Sequence, residues 1–124
     1  MTERPEAPKA EEDCLFCRLV RGEIPAEHLA EGEDWLAFRD IAPQAPVHVL
    51  LIPKRHIGSV AELRSSDADL AGRLVLAAAE LARTLGVDEG GYRLVTNRGE
   101  RAGQSVFHLH FHLLAGRDMD WPPG

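Results

Sequence analysis

The chain has 124 residues, the size of one domain that buries roughly two-thirds of its unfolded surface. Its 14 basic and 20 acidic residues give a net charge of −6 without any basic run, which argues against nucleic acid as a partner. It has only two cysteines, and no apolar stretch reaches the ~18 residues of a membrane span. We therefore expect a soluble, cytoplasmic protein without a disulfide framework or a membrane segment.

Residues 1–13 are rich in proline and glutamate and lack the features of a secretion signal. They predict a disordered tail ahead of a single domain at residues 14–124. The domain opens with apolar residues at helical spacing in CLFCRLVRG, which predict a short N-terminal helix that ends at Gly22.

Three strands are predicted next. The stretch HLAEGEDWLAFRDI, which starts at His28, predicts a hairpin with a Gly-Glu-Asp turn. VHVLLIP at 47–53 is an almost continuous run of β-branched residues and leucine between two prolines, which favours a central strand. Its one polar residue is His48.

One long helix and two further strands complete the chain. Residues 67–85 place leucine and alanine along one helical face, and Gly86 is the predicted stop. YRLVTN at 92–97 and VFHLHFHLLAG at 106–116 predict the last two strands. Five strands with one principal helix predict an α+β fold, an antiparallel meander whose second face is free for chemistry.

Three of the six histidines stand at alternate positions of the last predicted strand. Because side chains alternate in a strand, His108, His110 and His112 should share one face and the apolar residues between them the other. Such imidazoles can gather a metal, with His48 or Asp40 as a further ligand, or one of them can act as a nucleophile. The spacing alone leaves both alternatives open.

The loop GERAGQS at 99–105 directly precedes these histidines. Its backbone N–H groups, the Gln104 amide and the Ser105 hydroxyl can cradle a phosphate, although a solvated turn is an alternative. It is not a Walker loop, because glutamine stands where the lysine belongs. With no carboxylate cluster for Mg²⁺, the pattern favours phosphorus chemistry with a histidine nucleophile.

The segment HLHFHLL resembles the His-x-His-x-His-x-x motif of the histidine triad (HIT) superfamily. LFCRLVRGEIPAE, LAFRDIAPQAPVHVLLIPKRHI, AGQSVFHLHFHLL and the terminal WPPG are similar to its histidine triad nucleotide-binding (Hint) branch, across residues 14–124. The resemblance implies a homodimer in which two five-stranded sheets join and each tail, with Trp121, reaches the partner's site. It also implies hydrolysis of purine nucleoside phosphoramidates, such as AMP joined to an amine.

The resemblance further implies catalytic roles. His110 is the expected nucleophile, which attacks the α-phosphorus and forms a nucleotidyl-histidine intermediate. His48 is expected to accept a hydrogen bond from the ring of His110 and to hold its tautomer. His112 would contact the phosphate oxygens and Ser105 the departing nitrogen, and no metal takes part.

The implied nucleotide site adds residues to Ser105, His110 and His112. They are Asp40 for the ribose hydroxyls, Ile41 and Phe16 near the base, Asn97 near the phosphate or ribose, and Gly103 and Gln104 in the phosphate cradle.

Cys14 and Cys17 have the spacing of metal ligands or of a redox pair. The resemblance implies that His56 and His108 join them around a structural Zn²⁺, a set that suits tetrahedral zinc. A redox pair would need a preceding strand in a βαβ unit, which is absent from the predicted elements; two unlinked buried thiols are the other alternative. Chelation is expected to lower stability before activity, because the zinc lies off the catalytic site.

Three other functions remain open. A dinucleoside polyphosphate hydrolase of the Fhit-like branch would share the triad but not the WPPG tail. A non-catalytic protein would bind purine nucleotides without hydrolysing them. A metal-dependent hydrolase would use the histidines as ligands and would lose its activity on chelation.

Overall fold

The computed structural model describes residues 14–124, so the predicted tail at 1–13 lies outside the described residues. The helices are α1 (Leu15–Val20) and α2 (Ala68–Thr84), and the strands are β1 (His28–Glu31), β2 (Trp35–Arg39), β3 (Val47–Pro53), β4 (Tyr92–Thr96) and β5 (Phe111–Ala115). Short 3₁₀ turns at Val60–Glu62, Ser65–Asp67 and Glu100–Ala102 connect them. The predicted α+β class, with one long helix and a short N-terminal one, is confirmed.

The five strands form one antiparallel sheet in the order β1-β2-β3-β5-β4. The predicted meander is wrong at its end, because β5 lies between β3 and β4. The 17 residues of α2 carry the chain back along the sheet by about 25 Å. β4 therefore runs parallel to β3, and β5 fills the gap antiparallel to both.

The alternation of side chains along the strands gives the sheet two apolar faces. On one face, Val49, Leu51 and Leu113 pack against the buried side of α2. On the other, Phe38 and Leu50 join a smaller cluster under α1. The histidine site lies on this second face, which the long helix leaves uncovered.

The triad segment begins before the last strand does. β5 starts at Phe111, so the prediction of a strand over residues 106–116 was too long. β4 ends at Thr96, which pairs with Phe111. The residues just before Phe111 instead approach the loop after β3, where the Leu109 N–H donates to the Ile57 carbonyl at 2.6 Å. The predicted alternation still holds, because Leu109 is buried under α2 while His110 contacts Phe16 on the opposite face.

α2 is amphipathic: Leu74 is fully buried against the sheet, whereas Leu76 is 69 % exposed. Within residues 14–124, no helix is both long enough and apolar enough to span a membrane.

Leu74→Ala should lower the free energy of unfolding by about 2–5 kcal/mol, because it leaves a cavity between α2 and the sheet. Leu76→Ala is the matched control on the same helix and should stay within about 0.5 kcal/mol in dilute protein. Urea unfolding at several protein concentrations measures both. Equal losses at every concentration would contradict this division of α2, whereas a loss for Leu76 that grows with concentration indicates burial against a second chain.

Candidate active site

Pairing between β3 and β5 brings two histidines together. Leu50 is the partner of His112 and Leu114 the partner of His48, so the two histidines are diagonal neighbours on the same face. His48 Nε2 lies 2.9 Å from His112 Nδ1. Two histidines that are 64 residues apart in the sequence are therefore joined by a hydrogen bond.

His110 is oriented by its own segment. Its Nδ1 lies 2.7 Å from the His108 carbonyl oxygen. A carbonyl can only accept, so Nδ1 carries the proton and Nε2 keeps its lone pair. The expectation that His48 holds this tautomer is therefore corrected: the backbone of His108 holds it, and His48 pairs with His112 instead.

A second backbone group orders the other two rings. The Gln44 N–H donates to His48 Nδ1 at 3.0 Å, so the proton of His48 must sit on Nε2, from which it is donated to His112 Nδ1. His112 then carries its own proton on Nε2. His110 and His112, with ring centroids 5.0 Å apart, therefore present opposite groups: a lone pair on one Nε2 and an N–H on the other.

Burial keeps these rings neutral near pH 7. It lowers the pKa of His48 and of His110; the Asp40 carboxylate partly opposes the shift in His48, and the hydrogen bond to the His108 carbonyl, followed by Asp40, opposes it in His110. The pKa of His112 falls from 6.5 to about 4, chiefly through burial and then through repulsion from the other two rings. A neutral imidazole is the form that can act as a nucleophile.

Asp40 and Ile41 follow β2 at the edge of the histidine site. Asp40 Oδ1 accepts the Ala42 N–H at 2.8 Å, and Oδ2 lies 3.4 Å from His48 Nε2. Ile41 is 95 % exposed, an unusual position for a β-branched apolar side chain. Phe16, by contrast, is buried and packs its ring edge to face against His110 at a centroid distance of 5.2 Å.

The loop before the histidines is closed on itself by Gln104. The buried Gln104 side chain accepts the Gly99 N–H at 2.8 Å and donates to the carbonyls of Gly58 and Val106. Its amide is therefore used to shape the loop and is not turned toward a ligand. Ser105 is exposed beside it, and Asn97 lies next to Gly103, where an added Cβ would stand 4.0 Å from Asn97 Nδ2.

The four predicted metal ligands converge. The ligand atoms of Cys14, Cys17, His56 and His108 all lie within 4.8 Å of one another. His108 Nδ1 is 3.2 Å from Cys14 Sγ, and His56 Nδ1 is 3.3 Å from Cys17 Sγ. His108 Nε2 is 2.8 Å from the Pro53 carbonyl, which leaves Nδ1 facing the thiol of Cys14.

His108 therefore belongs to both clusters. Its ring belongs to the group of four predicted metal ligands, and its carbonyl orients His110. Phe16 also spans them, since its ring lies edge to face against both histidines, with centroids 5.9 Å from His108.

Sequence reasoning missed the backbone partners Gln44 and Pro53, and also Thr96, whose hydroxyl donates to the His110 carbonyl at 2.9 Å. Two of the three act through main-chain atoms, which every residue carries. No pattern of side chains could have indicated the two backbone contacts.

The fold and this site together define a HIT-domain protein: the HIT domain family matches residues 21–119, and the chain belongs to that family. An uncharacterized HIT-like protein of Synechococcus elongatus is 49 % identical over 113 residues, which are 91 % of this chain and 98 % of the relative.

Two solved structures are also similar. A HIT family hydrolase from Legionella pneumophila is 49 % identical, with a TM-score of 0.88 over 90 % of this chain and 100 % of its own. A HIT family hydrolase from Clostridium thermocellum is 50 % identical, with a TM-score of 0.85 over 88 % of this chain and 95 % of its own.

The low pKa of His112 predicts a loss of stability in acid. The unfolded chain binds a proton near pH 6.5 that the folded ring accepts only near pH 4, so the free energy of unfolding falls as the pH drops through this interval. His112→Gln removes the titrating group and should make the fall shallower in urea unfolding measured between these pH values. Leu76→Ala, which changes an exposed side chain without a titratable group, should leave the slope unchanged.

An unaltered slope in His112→Gln would contradict the burial of a neutral ring at this position. Both variants keep Cys14, Cys17, His56 and His108, so a metal held by that cluster would be lost in acid equally from both.

Proposed function

We propose that this protein hydrolyses the P–N bond of purine nucleoside phosphoramidates, with AMP–amine conjugates as the substrate class and His110 as the nucleophile. The observation that carries the proposal is the pair of neighbouring rings with opposite Nε2 groups. One offers a lone pair to phosphorus, and the other offers a proton to a phosphate oxygen. The resemblance to the Hint branch and the hydrolase relatives support the same class of reaction.

In the first step, His110 Nε2 attacks the α-phosphorus. A P–N bond to the histidine forms, and the bond to the amine breaks with its electron pair going to the departing nitrogen. That nitrogen needs a proton to leave as a neutral amine. The exposed hydroxyl of Ser105 donates to it and is reprotonated from water.

In the second step, water attacks the phosphorus of the nucleotidyl-histidine. The bond to His110 breaks, its Nε2 regains the lone pair, and AMP and a proton are released. Throughout both steps the His112 N–H stabilises charge on the phosphate oxygens, and it does so from a neutral ring whose orientation is held through His48 by Gln44.

The nucleotide lies across the uncovered face of the sheet in this proposal. Asp40 accepts from the ribose hydroxyls, the exposed side chain of Ile41 covers the base, and Asn97 and Gly103 face the phosphate or ribose. Gln104 acts by shaping the loop. Phe16 packs beneath His110 and contributes to the nucleotide site only through this contact.

Cys14, Cys17, His56 and His108 would hold a structural Zn²⁺. Two thiolates and two imidazoles are a donor set that zinc prefers, and the convergence of their ligand atoms fits a single ion. When bound, the ion would cross-link α1 to the segment that carries His110. It adds stability, and the reaction itself runs on the histidines.

We also propose that the protein works as a cytoplasmic homodimer. Trp121 is 82 % exposed in the single chain and follows Asp120, whose carbonyl accepts from Arg93 on β4. A large aromatic side chain in this position is suited to burial against a second chain.

His110→Ala should lower kcat for an AMP–tryptamine phosphoramidate by at least about a thousandfold, because it removes the covalent route. Wild-type protein quenched in alkaline denaturant during turnover should carry an AMP adduct on the peptide that contains His110, detected by mass spectrometry at a pH that keeps the P–N bond intact. His28→Ala is the matched histidine control and should keep full turnover.

The rival functions give different results in the same assay. A metal-dependent hydrolase shows no adduct and stops when chelated, a binding protein binds AMP without turnover, and an Fhit-like enzyme prefers diadenosine polyphosphates. Full turnover by His110→Ala would refute the proposal.

Ser105→Ala should lower kcat to different extents for two substrates that differ in their leaving group. For the amine substrate kcat should fall on the order of a hundredfold, because the departing nitrogen loses its proton donor. For a nitrophenyl ester of AMP the fall should be much smaller, since nitrophenolate leaves without a proton. Equal losses on both substrates would show that Ser105 does not act on the leaving group.

A further inference from the structure

We propose that Asp40, His48 and His112 form a second divalent-cation site, separate from the cysteine cluster, and that a cation bound there competes with the nucleotide. The ligand atoms of these three residues lie within 4.8 Å of one another. Two imidazoles and one carboxylate are the donor set of zinc sites that keep an open fourth position.

The distances between the three ligand atoms suit a single metal ion in place of the proton on His48 Nε2. Ligands of a tetrahedral ion with bonds of about 2.0–2.1 Å stand about 3.3 Å apart. Here His48 Nε2 is 2.9 Å from His112 Nδ1 and 3.4 Å from Asp40 Oδ2. The proton on His48 Nε2 is donated to His112 Nδ1, and Asp40 Oδ2 lies beside this bond, so a cation that takes the place of the proton would meet three ligand atoms while the proton leaves to solvent.

Backbone contacts prepare two of these ligands. The Gln44 N–H occupies His48 Nδ1, which leaves Nε2 as the only nitrogen of that ring available to a metal. The Ala42 N–H holds Asp40 Oδ1 and turns Oδ2 toward His48. His48 is itself 5 % exposed, so the cation would enter from the side of Asp40 and His112, which are both partly exposed.

Competition follows from the shared residues and rests on the proposed function. Asp40 is the proposed ligand of the ribose hydroxyls, and His112 is the proposed donor to the phosphate. An ion that holds Asp40 Oδ2 occupies the oxygen that would otherwise accept from the ribose hydroxyls, whereas its bond to His112 Nδ1 leaves the Nε2–H of that ring available, so the competition acts through Asp40. Free Zn²⁺ would then inhibit the enzyme reversibly at one site while stabilising the fold at the other.

The test is equilibrium dialysis of the full chain against buffered Zn²⁺, with Co²⁺ absorption as a second readout. Wild type should bind two equivalents, one tight and one weaker. The tight one should show the thiolate charge-transfer bands of cysteine ligation, and the weaker one only d–d bands. Asp40→Asn should weaken the second equivalent by on the order of tenfold or more while sparing the first.

Controls separate this site from the other cluster and from the proposed reaction. His28→Gln should bind two equivalents, and Cys17→Ser should lose only the tight one. His112→Gln should also lose the weaker equivalent, which keeps the test valid if Asp40→Asn folds poorly. AMP should displace the weaker equivalent, and so should adenosine, which has no phosphate to attract a cation.

A single equivalent in wild type, or a second one that survives both Asp40→Asn and His112→Gln, would overturn the site. Nucleotide that leaves the weaker equivalent in place would overturn the competition. Because the stoichiometry is measured without turnover, failure of the proposed hydrolysis leaves the cation site standing, and failure of the cation site leaves the hydrolysis standing.

Discussion

The antiparallel pairing of β3 with β5 is the constraint on which the rest of the structure depends. Its register sets Leu50 opposite His112 and Leu114 opposite His48, which brings two histidines from distant segments into contact. The same alternation turns Val49 and Leu113 to the other face, under α2. A shift of one residue would bury histidines in the apolar core, so core packing and site geometry select the same register.

Two main-chain groups then determine the chemistry of three rings. The His108 carbonyl holds a proton on His110 Nδ1, and the Gln44 N–H holds one on His48 Nε2, which in turn orders His112. Backbone carbonyl and N–H groups do not titrate, so each keeps the same hydrogen-bonding role at every pH and defines a tautomer more firmly than an ionisable side chain could. Burial adds to this by lowering the pKa of the three rings and keeping them neutral.

His108 connects the four predicted metal ligands with His110. Its ring lies among the cysteines, its Nε2 bonds to the end of β3, and its carbonyl orients His110. Phe16, set between the two cysteines in α1, packs against both histidine rings. A metal ion held by these four residues would therefore be linked to His110 by a short chain of contacts, and the expectation that chelation lowers stability before activity stays a prediction.

By itself the sequence determined the elements and the residue types at the site. Alternating histidines, the Cys-x-x-Cys pair and the continuous run at 47–53 are local patterns, and β3, α1 and α2 appear as those patterns predict. Only the tertiary structure decided that β5 inserts between β3 and β4, that His48 pairs with His112 rather than His110, and that Gln104 closes its own loop. The physical reason is that these outcomes depend on strand order and on backbone partners such as Gln44 and Pro53. Every residue carries a backbone carbonyl and every residue except proline an N–H, and only folding brings a particular one within reach.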